Sequence, residues 1–208
     1  MLKNFMNKPN ERKTMNHKFD ELTKNLAQSV TRRAALKKFR VGLAGLALAL
    51  ANLALNAQTL PANAAALRAN AGNTFALSPT ADPSVFKITA DGVVEVSLMG
   101  NGTEHAELLV HFPASAGLPI TLSGAVTLTS ADGATMLKFT VTGTATPDPV
   151  NPAFFNNNYQ ATFTGGSGAF ASASGAAAIA ETAKFSSQAA GTGTWTMKGY
   201  VITPPAGP

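Results

Sequence analysis

Along much of the chain, apolar and polar residues alternate with a period of two. Val94, Val96 and Leu98 share one side of a segment whose other side carries Glu95 and Ser97. Ala106, Leu108, Val110 and Phe112 stand likewise against His105, Glu107, Leu109 and His111. Ile120, Leu122, Gly124, Val126 and Leu128 alternate with Thr121, Ser123, Ala125 and Thr127, and Leu137, Phe139 and Val141 with Lys138 and Thr140. Near the C-terminus, Trp195, Met197 and Val201 face away from Lys198, Tyr200 and Ile202. Successive side chains of a strand point to opposite faces, so repeated short alternations predict antiparallel strands with one buried face.

Turn residues punctuate these runs. Asp91-Gly92 and Asp132-Gly133 each sit between two alternating segments, where Asp-Gly predicts a hairpin. Gly100-Asn101-Gly102 and Gly117-Leu118-Pro119 predict further reversals, and Pro147, Pro149 and Pro152 with Asn156–Asn158 predict one longer loop. Ser172–Lys184 is rich in alanine, a good helix former. Gly175 interrupts it and no long apolar stripe develops, so strand is the expectation there. About eight strands result. A closed barrel is expected over an open sandwich, because closure removes sheet edges and this chain has few charges with which to blunt them.

Ahead of this pattern the chain changes character. Residues 1–64 hold eleven Lys/Arg against three Asp/Glu, whereas residues 65–208 hold five against eight. The basic net charge therefore belongs to the leader. The remaining domain is mildly acidic and lacks the clustered basic residues of a nucleic-acid footprint. Phe19, Leu22 and Leu26 fall at helical spacing, and after them come SVTRRAALKKFR, an apolar run from Val41 to Leu55, and Ala62-Asn63-Ala64. Basic, apolar and A-x-A regions in that order predict a secretory signal. The apolar run, broken by Asn52 and Asn56, falls short of the roughly 20 residues that cross a bilayer, so no stable membrane anchor is expected. Cleavage is expected at Ala64/Ala65, with Ala57/Gln58 second. The predicted organisation is a leader over 1–64, a flexible N-terminus over 65–76, a barrel over 77–203 and a disordered tail over 204–208.

Thr31-Arg32-Arg33-Ala34-Ala35-Leu36-Lys37 resembles the twin-arginine export motif of bacteria, with Ala35 where that motif usually has Phe. The resemblance implies the twin-arginine machinery as a partner and a periplasmic or extracellular destination, reached already folded. The chain contains no cysteine, so the exported domain must be held by its core alone; at this size that is feasible without disulfides.

Gly165-Gly166-Ser167-Gly168-Ala169-Phe170-Ala171 admits two readings. Gly166, Gly168 and Ala171 match the start of a dinucleotide fingerprint. There is no second βαβ unit and no acidic residue at the required distance, so no dinucleotide or other cofactor is expected. On the other reading, Gly165, Gly166, Gly168 and Gly175 supply close backbone approach and positive φ at a strand end, while Phe170 folds inward to plug the core. The run from Thr164 to Gly175, TGGSGAFASASG, resembles the T-G-G-[ST]-G-x-F-x-x-A-x-G segment of allene oxide cyclases, dirigent proteins and small secreted bacterial relatives. GNGTEHAELLVHF (Gly100–Phe112) and GTGTWTMKGYVIT (Gly191–Thr203) resemble two further parts of the bacterial relatives, with Glu107 where those usually have glycine. The resemblance implies an eight-stranded antiparallel barrel with a hydrophobic interior. It also implies homo-oligomers, as in the plant families, and chemistry by a few polar residues inside the barrel.

Candidate chemistry is sparse. His105, Glu107 and His111 project from one face of a strand, and an H-x-E pair can offer two ligands to a metal. His111 lies about 13 Å beyond Glu107 at ~3.3 Å per residue, too far to complete that site. A solvated outer face explains all three, and no metal is expected. No nucleophile elbow is present. Asp91 and Asp132 are accounted for as turn residues and Glu95 as an outward residue, while Glu104 and Glu181 have no assigned role. Tyr159, Trp195 and Tyr200 could line a ligand cavity, although aromatics at alternating positions also simply fill cores. The expected function is an exported barrel with a non-enzymatic binding or structural role, taking at most a small apolar ligand. Two alternatives stand beside it: a cyclase- or isomerase-like enzyme acting inside the barrel, and a cell-surface or matrix component.

Overall fold

The computed structural model describes residues 63–113 and 118–203. Eight antiparallel strands close into one barrel in sequence order: β1 (Ala64–Pro79), β2 (Val85–Val96), β3 (Gly100–His111), β4 (Ile120–Ser130), β5 (Met136–Pro147), β6 (Phe154–Ser167), β7 (Ser174–Ser187) and β8 (Ala190–Ile202). β1 closes the barrel against β8, from Ala64↔Ile202 to Ala76↔Ala190. Arg32, Arg33 and the leader up to residue 62 lie outside the described residues, as does the tail over 204–208.

Alternation is clearest in β3 and β5. Thr140, Thr142 and Thr144 of β5 face outward between the buried Phe139, Val141 and Ala145, and β3 buries Glu104, Ala106, Leu108 and Val110 while exposing His105, Glu107, Leu109 and His111. Threonine suits such a wall, since its branched side chain packs on the pleated surface and its hydroxyl meets water. The alanine-rich segment is strand β7, as expected. Alanine's helix propensity yields to pairing on both sides, with β6 and with β8.

Several boundaries differ from expectation. Residues 65–76 are not a flexible N-terminus. They are most of β1, laddered to β2 and β8, and the barrel begins at Ala64 instead of 77. Without this strand the closed wall would have two open edges. The expected cleavage site, Ala64/Ala65, falls at the first residues of β1. Ala64 pairs with Ile202 and Ala65 with Val201, and Ala65 is half-buried against the core. The second expected site, Ala57/Gln58, lies outside the described residues.

The turns depart from expectation too. Asp91-Gly92 makes no hairpin and lies within β2. The reversal between β1 and β2 falls at 80–84, where Asp82 accepts hydrogen bonds from the Ser84 amide and hydroxyl at 2.8 and 2.7 Å. The next reversal occupies 97–99, and Gly100, with φ of 77°, opens β3. Asn156–Asn158 belong to β6, leaving only 148–153 as a loop. Asp132-Gly133 does form the predicted turn, between β4 and β5.

The two ends of the barrel differ. The β2–β3, β4–β5 and β6–β7 connections share one end with the start of β1 and the finish of β8. There Leu67, Val96, Leu128, Leu137, Phe163, Met197 and Val201 are buried, and the lumen is solid. A bulge opposite Lys138/Phe139 leaves Thr164 without a partner on β5, and the chain then turns through a short 3-10 helix, Gly168–Phe170. Gly165, Gly168 and Gly175 hold φ of 110°, 56° and 130°, which side-chain-bearing residues adopt only with strain. The turn places Phe170 in the core at 2% exposure. The expected plug is present, and it stops the end where the chain enters and leaves.

Candidate functional site

The opposite half of the lumen is hollow. Its mouth is ringed by aromatic side chains packed edge to face: Phe75 against Phe185 at 5.1 Å between centroids, Phe155 against Phe185 at 5.4 Å, and Phe86 against Phe112 at 5.5 Å. Below the rim, the walls are alanine and aliphatic residues of β2 to β5, and the space amounts to about 80 Å³. This is room for a few water molecules or the end of a small ligand. Nothing basic lines it.

At mid-height the apolar wall gives way to a polar floor. Glu104 of β3, 5% exposed, accepts a hydrogen bond from Asn73 Nδ2 of β1 at 3.1 Å and a forked one from Trp195 Nε1 of β8 at 3.0 Å to each carboxylate oxygen. Glu181 of β7 accepts from Tyr159 Oη at 2.7 Å and from Asn157 Nδ2 at 2.9 Å, both on β6. A carboxylate only accepts, so each asparagine turns its NH2 toward a glutamate. Their carbonyl oxygens, Asn73 Oδ1 and Asn157 Oδ1, are left buried with no partner.

Pairing across the wall explains how these groups meet. Trp195, Glu181 and Asn157 lie side by side in register on β8, β7 and β6. Asn73 pairs with Gly193 on one side and Gly92 on the other, and Gly92 pairs in turn with Glu104. The absent side chain of Gly92 lets Asn73 and Glu104 join hands over β2. A Cβ there would stand 2.7 Å from the Cα and Cβ of Asn73. Gly193 does the same on β8: Glu181 Oε1 and Asn73 Oδ1 lie 2.5 and 2.6 Å from where its Cβ would be. The Asp-Gly expected to be a hairpin is thus a saddle in the floor, with Asp91 turned outward to His105.

Burial pushes the Glu104 carboxyl above the usual carboxylate range. The hydrogen bonds from Asn73 and Trp195 oppose that rise, and the negative charges of Glu181 and Asp91 add to it. Tyr159 is held well above the usual phenol range, first by burial and then by Glu181, so its hydroxyl stays protonated and donates.

Of the residues singled out from the sequence, Tyr159 and Trp195 come together here. Tyr200 faces outward on β8. His105 sits on the outer face, 2.7 Å from Asp91 Oδ1, while Glu107 bonds Lys87 at 2.5 Å and His111 is exposed. No group of three or more His, Cys, Asp or Glu able to hold a metal occurs among the described residues. Sequence reasoning missed Glu104, Glu181, Asn73 and Asn157, yet parity carried a signal for each. Glu104 shares the inward phase of Ala106 and Leu108, Glu181 that of Ile179 and Ala183, Asn157 that of Tyr159, and Asn73 that of Phe75.

Comparison with known families, characterised proteins and solved structures finds no match for this chain.

Proposed function

We propose that this protein is an exported barrel that binds a small, mostly apolar ligand in the cup at its hollow end and performs no chemistry on it. The observation carrying this reading is the division of the lumen. One half is packed solid, and the other is an aromatic-rimmed apolar space above a polar floor, the distribution by which binding sites bury a ligand's body and fix its end. Filling the cup tests the reading. Ala90→Leu and Ala106→Leu put bulk into existing space, so the barrel should stay folded while binding of an apolar fluorescent probe, N-phenyl-1-naphthylamine, falls at least about tenfold. Retention of wild-type probe binding in both folded variants would place the ligand elsewhere.

A cyclase- or isomerase-like activity is the second reading, favoured by the acid groups Glu104, Tyr159 and Glu181 facing an apolar space. Against it, a space of about 80 Å³ takes the end of a ligand and does not enclose a whole cyclase substrate. Ligand recovered chemically unchanged after incubation supports binding, whereas an isomerised product supports the enzyme. Delivery of the protein folded, through the leader's paired arginines, accords with a cysteine-free closed barrel. The alternative of a cell-surface or matrix component rests on the threonine-rich, sparsely charged outer wall of β4 and β5.

A further inference from the structure

We infer that the cup selects ligands whose buried end is a protonated primary amine carried on a short apolar tail. This rests on the cup being a binding site, and it follows from what the floor lacks. Every polar group turned into the cavity either already donates to a glutamate or can only accept. Glu104 and Glu181 accept, Tyr159 and Trp195 spend their only donors on them, and each asparagine NH2 gives them one of its two hydrogens. Asn73 Oδ1 and Asn157 Oδ1, on residues 8% and 6% exposed, have no donor at all. An unpaired buried acceptor is costly in the same way as an unpaired charge, and here two such acceptors accompany two acidic groups with no basic residue among those lining the space.

A ligand end that answers this floor must supply hydrogens and positive charge together. An ammonium group has three donors and no acceptor. Glu181 Oε1 and Asn73 Oδ1 flank the same point above Gly193, so they are separated by no more than the sum of their distances to it. One donor group, settling between them with a small shift of either side chain, can bridge both. A hydroxyl brings a single hydrogen and no charge. A carboxylate brings acceptors to acceptors and its own negative charge beside two acidic groups. The rim selects the rest of the molecule: Phe75, Phe155 and Phe185 offer only apolar surface, which an alkyl chain covers and a second charged group would not.

Calorimetric titration of the full-length protein at pH 8 with n-hexylamine, 1-hexanol and hexanoate decides the matter. Charge-assisted hydrogen bonds exceed neutral ones by an amount that corresponds to about tenfold in affinity. The amine is therefore expected to bind at least about tenfold more tightly than the alcohol, with hexanoate weakest. Glu181→Gln, which keeps an acceptor for Tyr159, should bring amine and alcohol within about twofold of each other. If that variant does not fold, Asn73→Ala gives a second reading of the floor and should narrow the same gap. Amine and alcohol binding equally to the wild type, or a preference that survives in folded Glu181→Gln, would overturn the inference while leaving the cup intact. Failure of all three compounds to bind would overturn the cup and the inference together.

Discussion

Glu104 carries a cost that most acidic residues do not. A surface carboxylate is usually favoured in its ionised form by partners in the folded protein, whereas Glu104 is raised, chiefly because burial opposes its charge. The sign of its linkage to stability follows. Between the usual carboxylate value and its own raised value, Glu104 holds a proton in the folded state that it loses in the unfolded one. Stability therefore falls as pH rises through that window and levels off above it. Glu104→Gln should remove this fall, and at pH 8 its urea midpoint should equal or exceed the wild type's. Glutamine retains an acceptor for Trp195, and Asn73 can rotate its orphaned oxygen toward the new NH2. A wild-type urea midpoint that climbs with pH across that window would contradict the assignment.

At the scale of the elements, the two saddle glycines make opposite predictions. The missing Cβ of Gly92 lies against the backbone of β1, with Gly72 O at 2.4 Å. Gly92→Ala must therefore part the β1–β2 ladder and lower stability by about 1–3 kcal/mol, read as a reduced denaturation midpoint. At Gly193 the nearest atoms are the tips of two side chains, which can move. Gly193→Ala should fold with a near-normal midpoint and lose the preference for an amine. Phe170→Ala opens the plugged end and should cost about 3–5 kcal/mol. The same elements show what sequence can reveal. The barrel was legible because Thr140, Thr142 and Thr144 alternate with buried neighbours, and the plug because glycines crowd around one phenylalanine. The site was not, since its polar residues sit on five strands and meet only through barrel closure. Gly92 misled because Asp-Gly carries the same local chemistry in a hairpin as over a saddle; only the partner strand, nearly twenty residues earlier, distinguishes the two. The small side chains of residues 65–76 resemble a linker until β8 is there to pair with them.

For the molecule as a whole, closure leaves no free edge for another chain to extend, and the polypeptide reaches this state without a disulfide. The proposed export through the twin-arginine route would carry this body already folded. Replacing Arg32 and Arg33 together by lysine should strand the protein in the cytoplasm, folded, in cell fractions probed by immunoblot; undiminished export would refute the twin-arginine assignment. The pairing of Ala64 with Ile202 has a mechanical corollary. Both ends of the domain emerge side by side at the stoppered pole, and the aromatic rim occupies the other. Anything joined directly to the ends of the wall, before Ala64 or after Ile202, starts from the stem of a goblet, opposite its lip.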